Sequence, residues 1–374
     1  MSSSSMDTGM SLSMAMSSGP MNNPSGTLRA ASSETMAGMA VHAQMGADGN
    51  NTWFTFHLVN AGAAQEVGFS IDGHGMWVIA ADGAYVRPVR IQPQILTLIN
   101  SLFFLILRPS SARNTNSYTI RAVTRTHQTY EGRAYLTYGN TSANSSTVDA
   151  PWMSVIGSFS TNQTTLLDPA QLPPYPLQDL PRATRQLWLD VNQTESTVWV
   201  LHRVPFQDNN NRVLPLLLAP RADPGVFSLS ETEQEVIDVV MQIAPDSLDA
   251  MAHPIHLHGH YFRVLGSKAN SMFPSNMTVN EVKNRMRDSD IAAALDLSNT
   301  SPQRDSAHLP ENGWLAIRFT ANNPGVWLLH CHINSHLSSG MAIAFMEMRN
   351  HFSSFDTAVT TVPAIAPLTP LAEA

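Results

Sequence analysis

From Trp53 to Tyr138 the apolar residues fall into short runs cut by Gly, Asn and Asp: WFTFHLV, VGFSI, MWVIAA, YTIRAV and AYLTY. The first run alternates, with Phe54, Phe56 and Leu58 set against Thr55, His57 and Val59, as a strand with one face in a core requires. A second block of the same texture runs from Arg185 to Arg349 and holds VWVLH, EVIDVVMQ, HYFRVLG, GWLAIRF and GVWLLHCH. Between the blocks, residues 151–182 carry Pro151, Pro169, Pro173, Pro174, Pro176 and Pro181 and read as a connector. The pattern predicts an all-β chain with two β-sandwich domains, 51–150 and 183–350. The stretch from Val279 to Leu297 departs from it, with helical, polar text expected to be a surface insertion. The run Ile95–Leu107 is apolar but interrupted by Asn100 and Ser101. It is far short of the ~20 residues that span a bilayer, so a buried strand pair and no membrane span are expected.

The two ends differ in composition. Residues 1–50 are rich in Ser, Met and Gly, with Met6, Met10 and Met14 four residues apart, and read as a disordered leader. Thioethers are also soft ligands for copper(I), which gives this segment a second reading as a copper-collecting tail. Residues 351–374 return to Ser, Thr, Pro and Ala as a loose tail. Charged residues are only 13% and the net charge is −8, which sets nucleic-acid binding aside. Asn50, Asn140, Asn144, Asn162, Asn192, Asn276 and Asn299 each open an N-x-Ser/Thr sequon, a pattern that points to a secreted glycoprotein. The first 30 residues nonetheless lack a basic start followed by an apolar core, so no signal peptide is expected. A chain that begins downstream of its natural N-terminus reconciles the two.

Composition says little about chemistry; two dense clusters say more. One is His253-Pro-Ile-His256-Leu-His258-Gly-His260, and the other is His330-Cys331-His332-Ile-Asn-Ser-His336-Leu-Ser-Ser-Gly-Met341. They hold half of the fourteen histidines and the chain's one cysteine, so an internal disulfide is impossible. A lone histidine on a strand is usually structural. Clusters at ligand spacing around a thiol point to metal. Successive side chains on a strand face opposite ways, so Cys331 faces away from His330 and His332, and His253 away from His256 and His258. Pairing the two strands brings His253 to Cys331 on one face and gathers His256, His258, His330 and His332 on the other. His336 and Met341, five and ten residues beyond Cys331, complete the thiolate side. Two imidazoles, a thiolate and a long thioether describe a blue-copper electron-transfer site, whereas zinc has no use for Met341.

Both clusters resemble the two C-terminal copper motifs of the multicopper oxidases, and the text over roughly residues 53–350 is similar to the second and third cupredoxin domains of fungal laccases and their ferroxidase-like relatives. The likeness includes Phe56 to Gly62, Ser70 to His74, Arg304-Asp305, Gly313 to Phe319 and Asn323-Pro-Gly-Val-Trp327. It implies that His253, Cys331 and His336 ligate a type 1 copper with Met341 axial. By the same likeness His256 ligates a type 2 copper, and His258, His330 and His332 a type 3 pair. Cys331 and His336 would carry electrons from a phenolic or pigment-precursor substrate, or from a ferrous or cuprous ion, to a cluster that reduces dioxygen. A secreted, cell-wall or vacuolar location goes with that likeness. The family's first domain contributes an H-W-H-G and a second H-x-H motif. No H-x-H precedes His256 here, and His42, His57, His74, His127 and His202 stand singly. Half of the cluster's expected ligands are therefore missing. In addition, Leu98 to Ile106 is more apolar than the corresponding family strand, and Asn334-Ser335 stands where Asp-Trp is common.

Overall fold

The computed structural model describes residues 28–30, 44–45, 53–60, 66–91, 94–96, 101–107, 117–124, 131–137, 172–202, 204–206, 225–230 and 233–351, together with a few positions between 151 and 167 and without residue 203. The methionine-rich spacing, the C-terminal tail and the sequons at Asn50, Asn140, Asn144 and Asn162 lie outside them. Among the described residues no helix is long and apolar enough to cross a membrane. The chain is all-β, as its alternation predicts.

Ten strands make the first sandwich: β1 (Leu28–Ala30), β2 (Gln44–Met45), β3 (Trp53–Val59), β4 (Val67–Ile71), β5 (Met76–Ala81), β6 (Ala84–Ile91), β7 (Gln94–Leu96), β8 (Ser101–Leu107), β9 (Ser117–Thr124) and β10 (Glu131–Thr137). One sheet runs β1-β10-β9-β4-β7 and the other β2-β3-β8-β5-β6. Phe54, Phe56 and Leu58 are buried while Thr55, His57 and Val59 are half-buried, the alternation read from the sequence. The run Ile95–Leu107 does form two strands, but they do not pair with each other. β7 pairs with β4 in one sheet, and β8 is the central strand of the other, between β3 and β5. That position explains its apolar text: Leu102, Phe104 and Ile106 are buried in the core beside Phe56 and Phe69. Two short strands, β1 and β2, extend these sheets from within the segment read as a leader.

The second sandwich holds β11 (Arg185–Glu195), β12 (Val198–Leu201), β13 (Val226–Ser228), β14 (Glu235–Ile243), β15 (His253–Leu257), β16 (Phe262–Lys268), β17 (Gln303–Arg304), β18 (Ser306–Leu309), β19 (Trp314–Ala321), β20 (Gly325–Cys331) and β21 (Ala342–Glu347). Its sheets run β12-β11-β14-β19-β16-β17 and β13-β21-β20-β15-β18. The two cluster-bearing strands, β15 and β20, are thus neighbours in one sheet.

The insertion from Val279 to Leu297 is helical, with α1 (Val279–Arg285) and α2 (Asp290–Ala293), but it is more than a polar surface loop. Val279, Val282, Ala292 and Leu295 bury themselves against Leu265, Phe273 and Trp314 as a small core of their own. Thr278 and Glu281 close a capping box at the start of α1.

The connector lies against the first sandwich. Arg87 N donates to Pro173 O at 2.9 Å and Tyr175 N to Tyr85 O at 2.9 Å, and Leu172 is buried in the first core.

Candidate metal centre

The register of β15 on β20 sets Ile255 opposite Cys331, His256 opposite His330 and Leu257 opposite Leu329. His332 N, one residue past β20, still donates to Pro254 O at 2.8 Å. His253 is therefore one step diagonal to Cys331 on the same face, not directly across from it. The third donor comes from α3 (Asn334–Ser338), where His336 sits five residues after the cysteine. His253 Nδ1 is 3.8 Å from Cys331 Sγ, His336 Nδ1 is 3.7 Å from it, and the two Nδ1 atoms are 3.3 Å apart. A point equidistant from all three lies about 2.1 Å from each, within the range of transition-metal bonds to imidazole and thiolate, roughly 2.0–2.3 Å. Among the described residues this is the one group of three such donors close enough to hold an ion. The donor set fits copper.

Burial sets the electrostatics of this side. The Cys331 thiol is pushed up to about 12 by burial, only partly offset by the Ile333 N–H that points at its sulfur. A metal ion inverts that preference and holds the sulfur as thiolate. His253 is pushed down to about 3, by burial first and then by the nearby His336 and His308 imidazoles. Burial also lowers His336. Both rings stay neutral near pH 7, as ligands must. Met341 is fully buried in the same core cluster as Cys331, and its carbonyl accepts from Cys331 N at 3.1 Å.

On the opposite face, four imidazoles gather. Ring centroids of His256 and His258 are 4.9 Å apart, of His258 and His330 5.1 Å, of His330 and His332 5.5 Å, and of His256 and His332 6.2 Å. His330 is buried, His256 and His332 half-buried, and His258 exposed. His256 Nδ1 donates to Asp305 O at 2.9 Å and His330 Nδ1 to Cys331 O at 2.8 Å. Each bond fixes a tautomer that leaves Nε2 with a free lone pair, the arrangement of a metal-ligating histidine. His330 Nε2 meets His258 Nε2 at 3.0 Å, and His332 Nδ1 is buried with no protein partner. Burial pushes His330 and His332 down to about 4 each. His260, by contrast, turns away from this face, with Nε2 2.8 Å from the fully buried Glu347 carboxylate.

A family model described as Multicopper oxidase matches residues 206–351, and another of the same description matches residues 46–141. The chain belongs to the multicopper oxidase family. Among its relatives, Laccase abr2 of Aspergillus fumigatus is 29% identical over 314 residues, which cover 80% of this chain and 51% of that protein. A laccase of Neurospora crassa is 39% identical over 116 residues, 30% of this chain and 18% of its own length. The iron transport multicopper oxidase fio1 of Schizosaccharomyces pombe is 24% identical, over 79% of this chain and 46% of its own length. This multicopper oxidase chain thus spans about half the length of the curated relatives that match it over about four-fifths of its own length. The laccase from Botrytis aclada shares its fold with a TM-score of 0.62 at 24% identity, over 82% of this chain and 54% of that one. Fet3p, a multicopper oxidase that functions in iron import, shares it with a TM-score of 0.61 at 20% identity, over 80% and 56%.

Sequence reasoning missed how the two sandwiches meet beside this site. Asp82, in the β5–β6 turn of the first sandwich, accepts from Arg304 Nε at 2.6 Å and from Ser306 Oγ at 3.2 Å. Burial by itself raises the Asp82 carboxyl, but the Arg304 guanidinium outweighs it and holds the group below the usual range. Between those two partners stands Asp305, whose carbonyl orients His256. Its own carboxyl is pushed up to about 7, by burial first and then by the Asp82 charge. Arg304-Asp305 is part of the text that resembles the family, but a partner 222 residues away leaves no sequence signal beyond the Asp82-Gly83 turn. Asp82→Ala should cost about 3–5 kcal/mol, the usual penalty for stranding one member of a buried pair. Urea unfolding should then split into two transitions as the sandwiches uncouple; a single transition at the wild-type midpoint would show that the pair carries no such weight.

Proposed function

We propose that this chain belongs to a laccase-type copper oxidase: a small electron-rich molecule gives up one electron at a time beside His336, and dioxygen is reduced at the face carrying His256, His258, His330 and His332. What supports this is the convergence of His253, Cys331 and His336 within 3.8 Å of one another, back to back with the four-imidazole face. In this reading these three residues would hold the type 1 ion, with the buried Met341 thioether as a further, weak donor. His256 contributes to the type 2 site, and His258, His330 and His332 to the type 3 pair. Copper bound at these residues would supply the one-electron redox chemistry on the thiolate side and the dioxygen chemistry on the other.

The chain's own residues supply the wiring. His330 and His332 flank Cys331, so both sides share three consecutive residues, and the His330–Cys331 carbonyl bond adds a second link. The balance is four one-electron donors, one dioxygen and four protons giving two waters. Phenols and pigment-precursor naphthols are the substrate class this reading takes from the resemblance to laccases, and the presence of laccases among the relatives is in keeping with it. A ferrous or cuprous donor is the second reading, favoured by the likeness to the iron-transport oxidase and by the methionine-rich start. A copper-binding electron carrier without oxidase activity is the third, and oxygen uptake separates it from the other two. Asn276 and Asn299, both exposed, are the described sequons best placed for the glycosylation that secretion would bring.

Copper-loaded protein should show an intense visible thiolate-to-copper(II) band, and Cys331→Ser should remove it while leaving the protein folded by circular dichroism. A folded, copper-loaded wild type that stays colourless would sink this reading.

A further inference from the structure

The thiolate site has a fourth wall that the ligand motifs do not contain. Trp199, on β12, lies 4.4 Å from His336 between ring centroids with the planes 23° apart, a stacked pair. The same indole meets His253 edge-on at 4.9 Å and 76°. It is 3% exposed and belongs to the core cluster that includes Cys331 and Met341. One side chain therefore touches both imidazoles of the site.

Its placement is built rather than incidental. Trp199 N donates to Ser339 O at 3.0 Å, and Phe206 N donates to Gly340 O at 2.9 Å. Gly340 adopts φ +106, and a Cβ there would stand 2.7 Å from Trp199 O and 2.6 Å from Pro205 Cβ. Only glycine lets the loop after α3 come this close to β12. By contrast α3, which carries His336, buries none of its five residues and has no side-chain N-cap. A short, uncapped, unburied helix holds a ring plane poorly by itself.

We propose that Trp199 is the positioning residue of the thiolate site, fixing the plane of the His336 imidazole by stacking and keeping water from that face of both rings. This rests on the reading of His253, Cys331 and His336 as a copper site. Two imidazoles and a thiolate leave the oxidised ion with one net positive charge and the reduced ion with none. A dry, apolar wall disfavours the charged form and raises the reduction potential. The indole face also attracts positive charge, which acts the other way. The dry wall wins, because the stacked face meets an imidazole, not the ion itself.

The test uses copper-loaded full chain and three readouts: the visible band, the electron paramagnetic resonance spectrum and the potential of the blue site. Trp199→Ala keeps all the donors, so the band should remain, while the potential falls and the copper hyperfine lines spread into more than one species. Trp199→Phe restores a stacked, dry ring and should return both readouts to wild type. A wild-type potential and a single wild-type spectrum in Trp199→Ala would overturn the proposal. So would equal loss of copper and of folding stability in both variants, which would make the indole a core group only. A colourless wild type is a different failure, that of the copper site itself.

Discussion

A phenol added to the copper-loaded 374-residue chain is expected to bleach the blue band once, with no sustained oxygen uptake. The two faces of the β15–β20 pair differ in completeness. On the thiolate face three donors converge to within 3.8 Å, with Met341 packed in the same buried cluster. On the other, His258 Nε2 and His330 Nε2 approach to 3.0 Å, no third donor among the described residues joins them in a group close enough to hold an ion, and His258 is exposed. The resemblance implies eight imidazoles around that cluster, and this face presents four. An ion held by half its ligands binds weakly and exchanges with water, and adjacent ions need protein donors to stay adjacent. Copper analysis after gel filtration should therefore give about one tightly held ion per chain. Steady oxygen consumption by this chain alone would refute the expectation. It would require the other imidazoles to come from a second chain or from the singly placed histidines.

What the sequence made legible follows from short-range geometry. The split of His253 and Cys331 from His256, His330 and His332 needed only the period-two alternation of a strand, and the side chains do lie on those two faces. Register needed more. Whether Cys331 stands across from His253 or from Ile255 depends on how the chain turns between the strands, and the answer, Ile255, puts His253 on the diagonal. The apolar text of Ile95–Leu107 announced burial but not that its two strands go to different sheets, because both would read alike. The pattern Thr278-Val-Asn-Glu281 is a capping box that could have fixed the start of α1 in advance. Trp199 was visible only as one apolar residue in the run VWVLH. Nothing local distinguishes an indole that fills a core from one that also stacks on a ligand ring. The Asp82–Arg304 pair joins residues from different sandwiches, a tertiary fact with no periodic trace.

Without metal, the protein is expected to lose stability steeply as pH falls from about 6.5 towards 4. The sign follows from burial. His253 is held down to about 3 and His330 to about 4 in the folded chain, both chiefly by burial, while an unfolded histidine titrates near 6.5. Above that value both states carry neutral rings, and the imidazoles contribute nothing to the pH dependence. Below it the unfolded chain takes up protons that the folded chain refuses, so unfolding gains free energy with each unit of acidification. At 1.36 kcal/mol per unit, His253 and His330 each cost on the order of 3 kcal/mol by pH 4, a large part of a typical 5–15 kcal/mol stability. His256, His258, His332 and His336 are shifted the same way and add to it. His308 is lowered by burial as well. Asp305, raised to about 7, and Asp238, also raised by burial, oppose the imidazoles, because a carboxyl raised in the folded chain regains stability when it is protonated; they are two groups against seven. The loss levels off below pH 3, once acid reaches the folded value of His253. Bound copper occupies the same lone pairs, so loaded protein should hold its melting temperature to lower pH than the metal-free form. Thermal melts of both forms from pH 8 to pH 4 measure this directly. A metal-free melting temperature that stays flat between pH 7 and pH 4.5 would mean that these imidazoles are already open to protons in the folded protein.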